Sequence, residues 1–512
     1  MSDPLANPLT RSRLLRLGAG GAAAVALAPL IAACGDDDDE GTTSAAAPPT
    51  SSAAPETSAP ATSAAAETTA AETTAAETTA AATSGAETTA AATTVPQGLS
   101  DGKMWWWGEQ EAVGIQQWMD DTIAMFEEQS GGTKIEATLM DTAQVVPQFT
   151  EAAAAGNVPD IQFLFNGIYH MENVWLGYLD PLDGVLAQST IDNGGGTVLS
   201  RYEGKNYRTG FYAIGFGLAY NKELFSAAGL DPETPPATWD EFLAACEALK
   251  GSGVIPIGGG VKDGFLGEWY FVMSLTQNLD SPADALNLFI GELDWEDPKY
   301  HEHWIKLQEL KDKGYFNDDI SSLELYQGIQ LFDTGKAAMC INTTPALPNS
   351  QKQLGADKLG FMSLPTFGTG AMAGKPITDT QGFGIPSKAE NKETAAAFID
   401  FMHSPERVQA MWTTSKQIPA DTSFDASVID DPFLKGVYDT WVAGDRNVYI
   451  ADMMPTLFWT DAMFVISQKI LAGEMQGSES GKLAAEVTQK WKDQNPDTVE
   501  NYTTWGQDLA SA

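Results

Sequence analysis

The chain has 512 residues and a formal net charge of −40, from 69 acidic and 29 basic residues. A surface this acidic argues against nucleic acid and against anionic lipid head groups as partners. Hydrophobic residues make up 43% of the chain, and the stretch 98–512 is too long for one ordinary core, so two lobes are expected.

At the start, Arg11, Arg13 and Arg16 precede an apolar run over 17–33 that ends Leu30-Ile31-Ala32-Ala33, followed by Cys34 and Gly35. A basic start, an apolar stretch and small residues before a cut site describe an export signal, expected over 1–33. The run carries Gly18, Gly20, Gly21 and Pro29 and falls short of the roughly 20 apolar residues of a spanning helix. The cysteine at the cut resembles a bacterial lipobox. That resemblance implies a diacylglyceryl thioether on Cys34 and a mature protein lipid-anchored on the extracytoplasmic face of the cell membrane. The Arg-Ser-Arg order leaves the general and twin-arginine export routes both open.

Residues 34–99 are expected to form a disordered stalk. Asp36–Asp39 and Glu40 open it, and Ala-Glu-Thr-Thr recurs at 66–69, 71–74, 76–79 and 86–89. A period of five fits neither helix nor strand, and without aromatic or large aliphatic residues before Val95 the segment cannot offset the entropy of ordering. Its Ser, Thr and Pro content permits O-glycosylation. The aspartate run lacks the alternation and the glycine of a calcium loop.

Beyond the stalk, Lys103–Trp107 reads as a buried strand between glycines, and 115–128 has apolar residues at helical spacing. Thr133–Leu139 alternates as a strand, Val146–Ala155 reads as helix, and Ile161–Phe165 as a buried strand. Strands alternating with helices predict an α/β sheet, which binds ligands at the carboxyl ends of its strands. Thr238 with Glu241 three residues later predicts a capping box opening a helix. Besides Cys34 there are two cysteines, Cys246 and Cys340, and whether they pair is left open.

The segment Tyr220-Asn221-Lys222-Glu223-Leu224-Phe225, its proline-rich loop and Thr238-Trp239-Asp240-Glu241-Phe242-Leu243 resemble the extracellular solute-binding proteins of family 1, sugar-binding subunits of ABC importers. In the same order follow Gly335-Lys336-Ala337-Ala338-Met339, Gly382-Phe383-Gly384-Ile385-Pro386 with Asn391-Lys392-Glu393-Thr394-Ala395, Phe458-Trp459, and Leu471-Ala472-Gly473-Glu474. The resemblance covers about 100–495. It implies a two-lobed periplasmic-binding-protein type II fold, with 100–214 and 379–445 as the N-terminal lobe and 215–378 and 446–512 as the C-terminal lobe. It also implies hinge closure on a mono- or oligosaccharide, delivery to permease subunits of an ABC importer, and no catalysis.

Few residues offer other chemistry. There are four histidines; His301 and His303 are two apart on a helix, poor metal partners and expected as solvated helix polars. No phosphate loop or nucleophile elbow occurs. No cofactor or metal is expected, and a monomer is. Binding residues are sought where strands end, since an indole suits the C–H face of a pyranose and Glu, Asp, Asn and Gln serve its hydroxyls. By the resemblance, Glu109 lies on the polar loop after the first strand, Asn166 after the third, and Tyr212 near a crossover. Glu268, Trp269 and Tyr270 form an acid-then-aromatic helix start, and Trp459 matches a ligand-stacking tryptophan. Thr343 marks a turn where many members carry glycine and tryptophan. Asp379 and Gln381 sit by a further crossover, and Asp141 and Gln144 by a loop after a strand. A polyamine or quaternary amine also suits an acidic, aromatic cleft. A secreted glycan-degrading enzyme, which needs two carboxylates about 5–10 Å apart, and a stalked surface adhesin remain as alternatives from other classes.

Overall fold

A computed structural model describes residues 94–107, 114–140, 142–165, 168–195 and 197–511. Its strands are β1 (Gly102–Trp106), β2 (Ile135–Leu139), β3 (Ile161–Leu164), β4 (Arg201–Tyr202), β5 (Lys205–Asn206), β6 (Thr209–Asn221), β7 (Ile255–Gly258), β8 (Ala337–Thr343), β9 (Leu359–Met362), β10 (Ile377–Gly384) and β11 (Asn447–Val448). Among the described residues, one sheet runs β2-β1-β3-β10-β6-β8-β7, with β11 beside β10 and β9 beside β6. The expected mixed α/β class holds. The strands expected around 103–107, 133–139 and 161–165 and the helix at 115–128 are present within a residue or two. The helix expected from Val146 starts at Thr142 and carries Pro147 inside it.

The fold is two-lobed, and β6 shows how one chain makes both lobes. All thirteen of its residues are buried, and at about 3.3 Å per residue it is roughly 43 Å long. Its first part, Thr209–Phe216, pairs antiparallel with β10, which pairs in turn with β3. Its later part, from Phe216, pairs with β8, and Leu218–Asn221 with β9. Thus β6 leaves one half of the sheet for the other, and β10 runs back beside it. A third passage lies at Asn447–Val448, parallel to Ile377–Thr378. Trp441 clasps this region: its Nε1 donates to the Phe216 carbonyl at 3.0 Å. Only glycine fits beneath the indole, because a Cβ on Gly215 would lie 2.6 Å from Trp441 Cδ1.

Local signals explain the second half. The Thr238 hydroxyl accepts from Glu241 N–H and the Glu241 carboxylate accepts from Thr238 N–H, completing the predicted capping box. The helix Phe265–Leu275 is buried on almost every side, as its continuous apolar sequence requires.

Two expectations change and one open question closes. Val95 is already buried, at 5% exposure, and Gln97 Nε2 donates to the Gln129 carbonyl, so the last residues assigned to the stalk belong to the folded unit. His301 and His303 are buried, not solvated: His303 packs on Trp304 at 4.2 Å and Phe271 at 5.1 Å, and burial holds its pKa well below the usual value. The helix carrying them turns this face inward because Trp304, Leu307 and Leu310 line it. Cys246 and Cys340 are both buried and free.

Candidate functional site

Four of the sequence-derived positions, Cys34, Glu109, Asp141 and Asn166, lie outside the described residues. Of the nine others, seven sit on or beside the crossing strands; Tyr270 is turned into the core, and Gln144 is exposed on its helix, where its Oε1 accepts from Gln148. Glu268 is the centre. Trp459 Nε1 donates to its Oε2 at 2.6 Å and Tyr449 Oη to its Oε1 at 2.7 Å. The carboxyl comes from the first turn of the helix Phe265–Leu275, the indole from a helical turn at Trp459, and the phenol from the third passage. Burial pushes Glu268 up to about 7 against the pull of these two hydrogen bonds, and nearby Asp379 adds to the rise.

Around this carboxyl the aromatic groups form a wall. Tyr449 stacks on Phe216 of β6 at 4.4 Å and 19°, and Phe216 meets Trp269 edge-on at 5.6 Å. Trp459 is half-buried, its ring 4.6 Å from Phe464 and 6.2 Å from Phe265. Tyr270 follows Trp269 and lies about 100° further around the helix. Its hydroxyl donates to the His303 carbonyl at 2.9 Å inside the core, so the structure separates it from Glu268.

The polar residues of β10 face the same region. Gln381 Nε2 donates to Asp379 at 3.2 Å, as side chains two apart on one strand face can. Gln381 stands opposite Tyr212 in β6, and Tyr212 is fully buried against Phe211 at 4.7 Å. Thr343 ends β8 opposite Phe216. Gln381 Oε1 and Thr343 Oγ1 are buried with no hydrogen-bond partner among the described residues. Such atoms are costly to bury and call for an explanation.

Sequence reasoning missed three members. Arg208, 1% exposed, holds Thr380 through its carbonyl at 2.9 Å and hydroxyl at 2.8 Å and reaches Ser200 at 3.0 Å. Burial lowers its pKa to about 10, while Asp379 and Asp452 work the other way. Asp452 is pushed well above the usual carboxylate range by burial, then by the Asp379 charge and a hydrogen bond with that carboxyl. Tyr449 is the third. Only Arg208 left a trace in the sequence, as a charge at the head of an apolar strand.

One further cluster has the order of contacts of a hydrolytic triad: Thr209 Oγ1 to His403 Nε2 at 3.3 Å, and His403 Nδ1 to Asp421 at 2.8 Å. A Cβ on Gly194 would lie 2.0 Å from that hydroxyl, so backbone covers it and no substrate carbonyl can approach. It serves as a clamp between β6 and the helix Lys392–Met402. Among the described residues no His, Cys, Asp and Glu group is placed to hold a metal, and no helix is long and apolar enough to cross a membrane.

Comparison with known proteins agrees with this architecture. A family model described as bacterial extracellular solute-binding protein matches residues 121–435. A binding protein of Brucella abortus is 26% identical over 293 residues, covering 56% of this chain and 68% of that one. The sn-glycerol-3-phosphate-binding periplasmic protein of Shigella flexneri is 29% identical over 209 residues, covering 38% of this chain and 44% of that protein. The solved structure of a chitin oligosaccharide binding protein superimposes with a TM-score of 0.67 at 22% identity, covering 76% of this chain and 98% of that one.

Proposed function

Because the chain belongs to the family of bacterial extracellular solute-binding proteins, we propose that it captures a carbohydrate, a mono- or oligosaccharide, and delivers it to the permease of an ABC importer. One lobe comprises 100–214 and 379–445 and the other 215–378 and 446–512, with residues 95–99 docked on the folded unit. The lobes close about β6, β10 and the third passage, and Cys34 anchors the protein by lipid outside the cell membrane. The observation that carries the reading is the half-buried Trp459 indole fixed by Glu268 beside the crossing strands. An indole held at its N–H presents a firm apolar face to a sugar ring. Gln381 Oε1, Asp452 and Thr343 offer acceptors to ring hydroxyls, and the solved oligosaccharide-binding neighbour is consistent with that class. Glu109, Asp141 and Asn166, which follow β1, β2 and β3 in the chain, are proposed as further ligand-binding residues.

A phosphate ester, the ligand named for one relative, fits less well: Arg208 sits with the acids Asp379 and Asp452, and its fork is already spent on Thr380. The same acids keep an amine as the second reading. A thermal-shift panel of chito-, malto- and xylo-oligosaccharides, glycerol 3-phosphate, spermidine and betaine separates these classes. Stabilisation by a sugar that is insensitive to salt supports the proposal. Salt-sensitive stabilisation by amines alone would replace it.

A further inference from the structure

The last helix, Pro496–Ser511, touches both lobes at a place remote in sequence from all three passages. It follows the helix Ser480–Gln494 of the second lobe, and Tyr502 packs on Trp491 of that helix at 5.3 Å. It also lies on the helix Pro282–Phe289: a Cβ on Gly506 would come 2.7 Å from Leu286 Cδ2. Its other contacts reach the first lobe. Trp175, at the end of the helix that follows β3, is 5.1 Å from Tyr502 and 6.1 Å from Trp505. Tyr202, in the β4–β5 hairpin, donates from its hydroxyl to Asn501 at 3.3 Å and packs on Trp175 at 6.1 Å. Tyr502 and Trp505 have no measurable exposure.

We propose that the helix 496–511 is a strap between the lobes, fixed to the second and docked reversibly on Trp175 and Tyr202 of the first, and that it stabilises the shut arrangement. Two observations set the direction. In this arrangement Glu268, Asp379, Gln381 and Thr343 are all buried, so the strap is docked while the crossing region is shielded from water. The docked face is also imperfectly satisfied: Trp175 Nε1, Tyr502 Oη and Trp505 Nε1 are buried without partners. Undocking returns those three donors to water, which offsets part of the lost apolar contact. A contact with gains on both sides of the balance suits a two-state element better than a permanent core does. Any relative movement of the lobes must break this contact or move the helix, because its two faces belong to different lobes.

The inference rests on the closing motion proposed above, but its test uses no ligand. Tyr202→Ala in the full chain removes the first-lobe ring and the hydrogen bond to Asn501. Tyr202→Phe keeps the ring and removes only the hydrogen bond. Hydrogen exchange and small-angle scattering are read on each ligand-free protein. The strap predicts faster exchange in 496–511 and an increased radius of gyration for Tyr202→Ala, with a smaller change of the same sign for Tyr202→Phe. Slow exchange in β1, β3 and 480–494 shows that each lobe stays folded. If the alanine variant loses protection everywhere, the phenylalanine variant decides. Unchanged exchange in 496–511, or a smaller radius, overturns the proposal. Failure of every sugar to bind wild type, with the helix still released by Tyr202→Ala, would remove the ligand proposal and leave the strap standing.

Discussion

Replacing Glu268 by glutamine isolates the energetic consequence of a carboxyl buried between Tyr449 and Trp459. Its pKa stands at about 7 against 4.5 for an exposed glutamate. A folded-state pKa above the unfolded one means the fold favours the protonated form. The associated stability is therefore complete below the unfolded value and is lost as pH rises through about 7. The gap of about 2.5 units corresponds to roughly 3 kcal/mol between low pH and about pH 8. Glutamine mimics the neutral acid but cannot accept from both Tyr449 and Trp459 at full strength, a loss of about 1 kcal/mol. The two proteins should thus lie within about 1 kcal/mol of each other near pH 5, and the variant should lead by about 2 kcal/mol near pH 8. Urea unfolding at a series of pH values measures this, and the difference between the proteins cancels other buried acids such as Glu172, also raised by burial to about 7. A stability difference that does not change between about pH 5 and 8 would refute the reasoning.

Trp459→Ala should weaken sugar binding by about 1–3 kcal/mol, read by calorimetric titration, while leaving the melting temperature within a few degrees; intact affinity with a collapsed melting temperature would remove it from the site. A protein beginning at residue 94 should match the longer chain in both affinity and stability, whereas one beginning at residue 100 should lose about 1–2 kcal/mol of stability because Val95 no longer covers the core. Gly215→Ala should destabilise by about 1–3 kcal/mol, since the added methyl meets Trp441 and Thr344 within 2.8 Å. Cys34→Ser should move the protein out of the membrane fraction or leave it unprocessed; normal processing and fractionation would remove the lipid anchor.

The local elements were readable because their causes are local. Thr238 and Glu241 are three residues apart, and the capping box forms as the pair predicts. The run 161–165 has a strand's composition and is one. The site is different in kind. Glu268 meets Tyr449 across 181 residues and Trp459 across 191, and no spacing rule connects them; the family resemblance, not periodicity, picked out Glu268 and Trp459. Tyr449, Asp452 and Arg208 were missed because burial, not residue type, makes them unusual. An aspartate in a chain with 69 acids carries no signal until a second carboxyl is found beside it. Tyr270 failed for a geometric reason. One residue further along a helix is about 100° around it, which takes its hydroxyl from the crossing strands into the core. His301 and His303 were misjudged because two tryptophans, Trp295 and Trp304, pull that helix face inward.

The central claim is that the two lobes close on a carbohydrate held against Trp459. Small-angle scattering of wild type, with and without a saturating concentration of the oligosaccharide that stabilises it most, tests this directly when tryptophan emission is recorded on the same samples. The account predicts a smaller radius of gyration and a shift in emission with the sugar, both absent in Trp459→Ala at the same sugar concentration. An unchanged radius with every sugar, or the same contraction in Trp459→Ala at equal affinity, would contradict it.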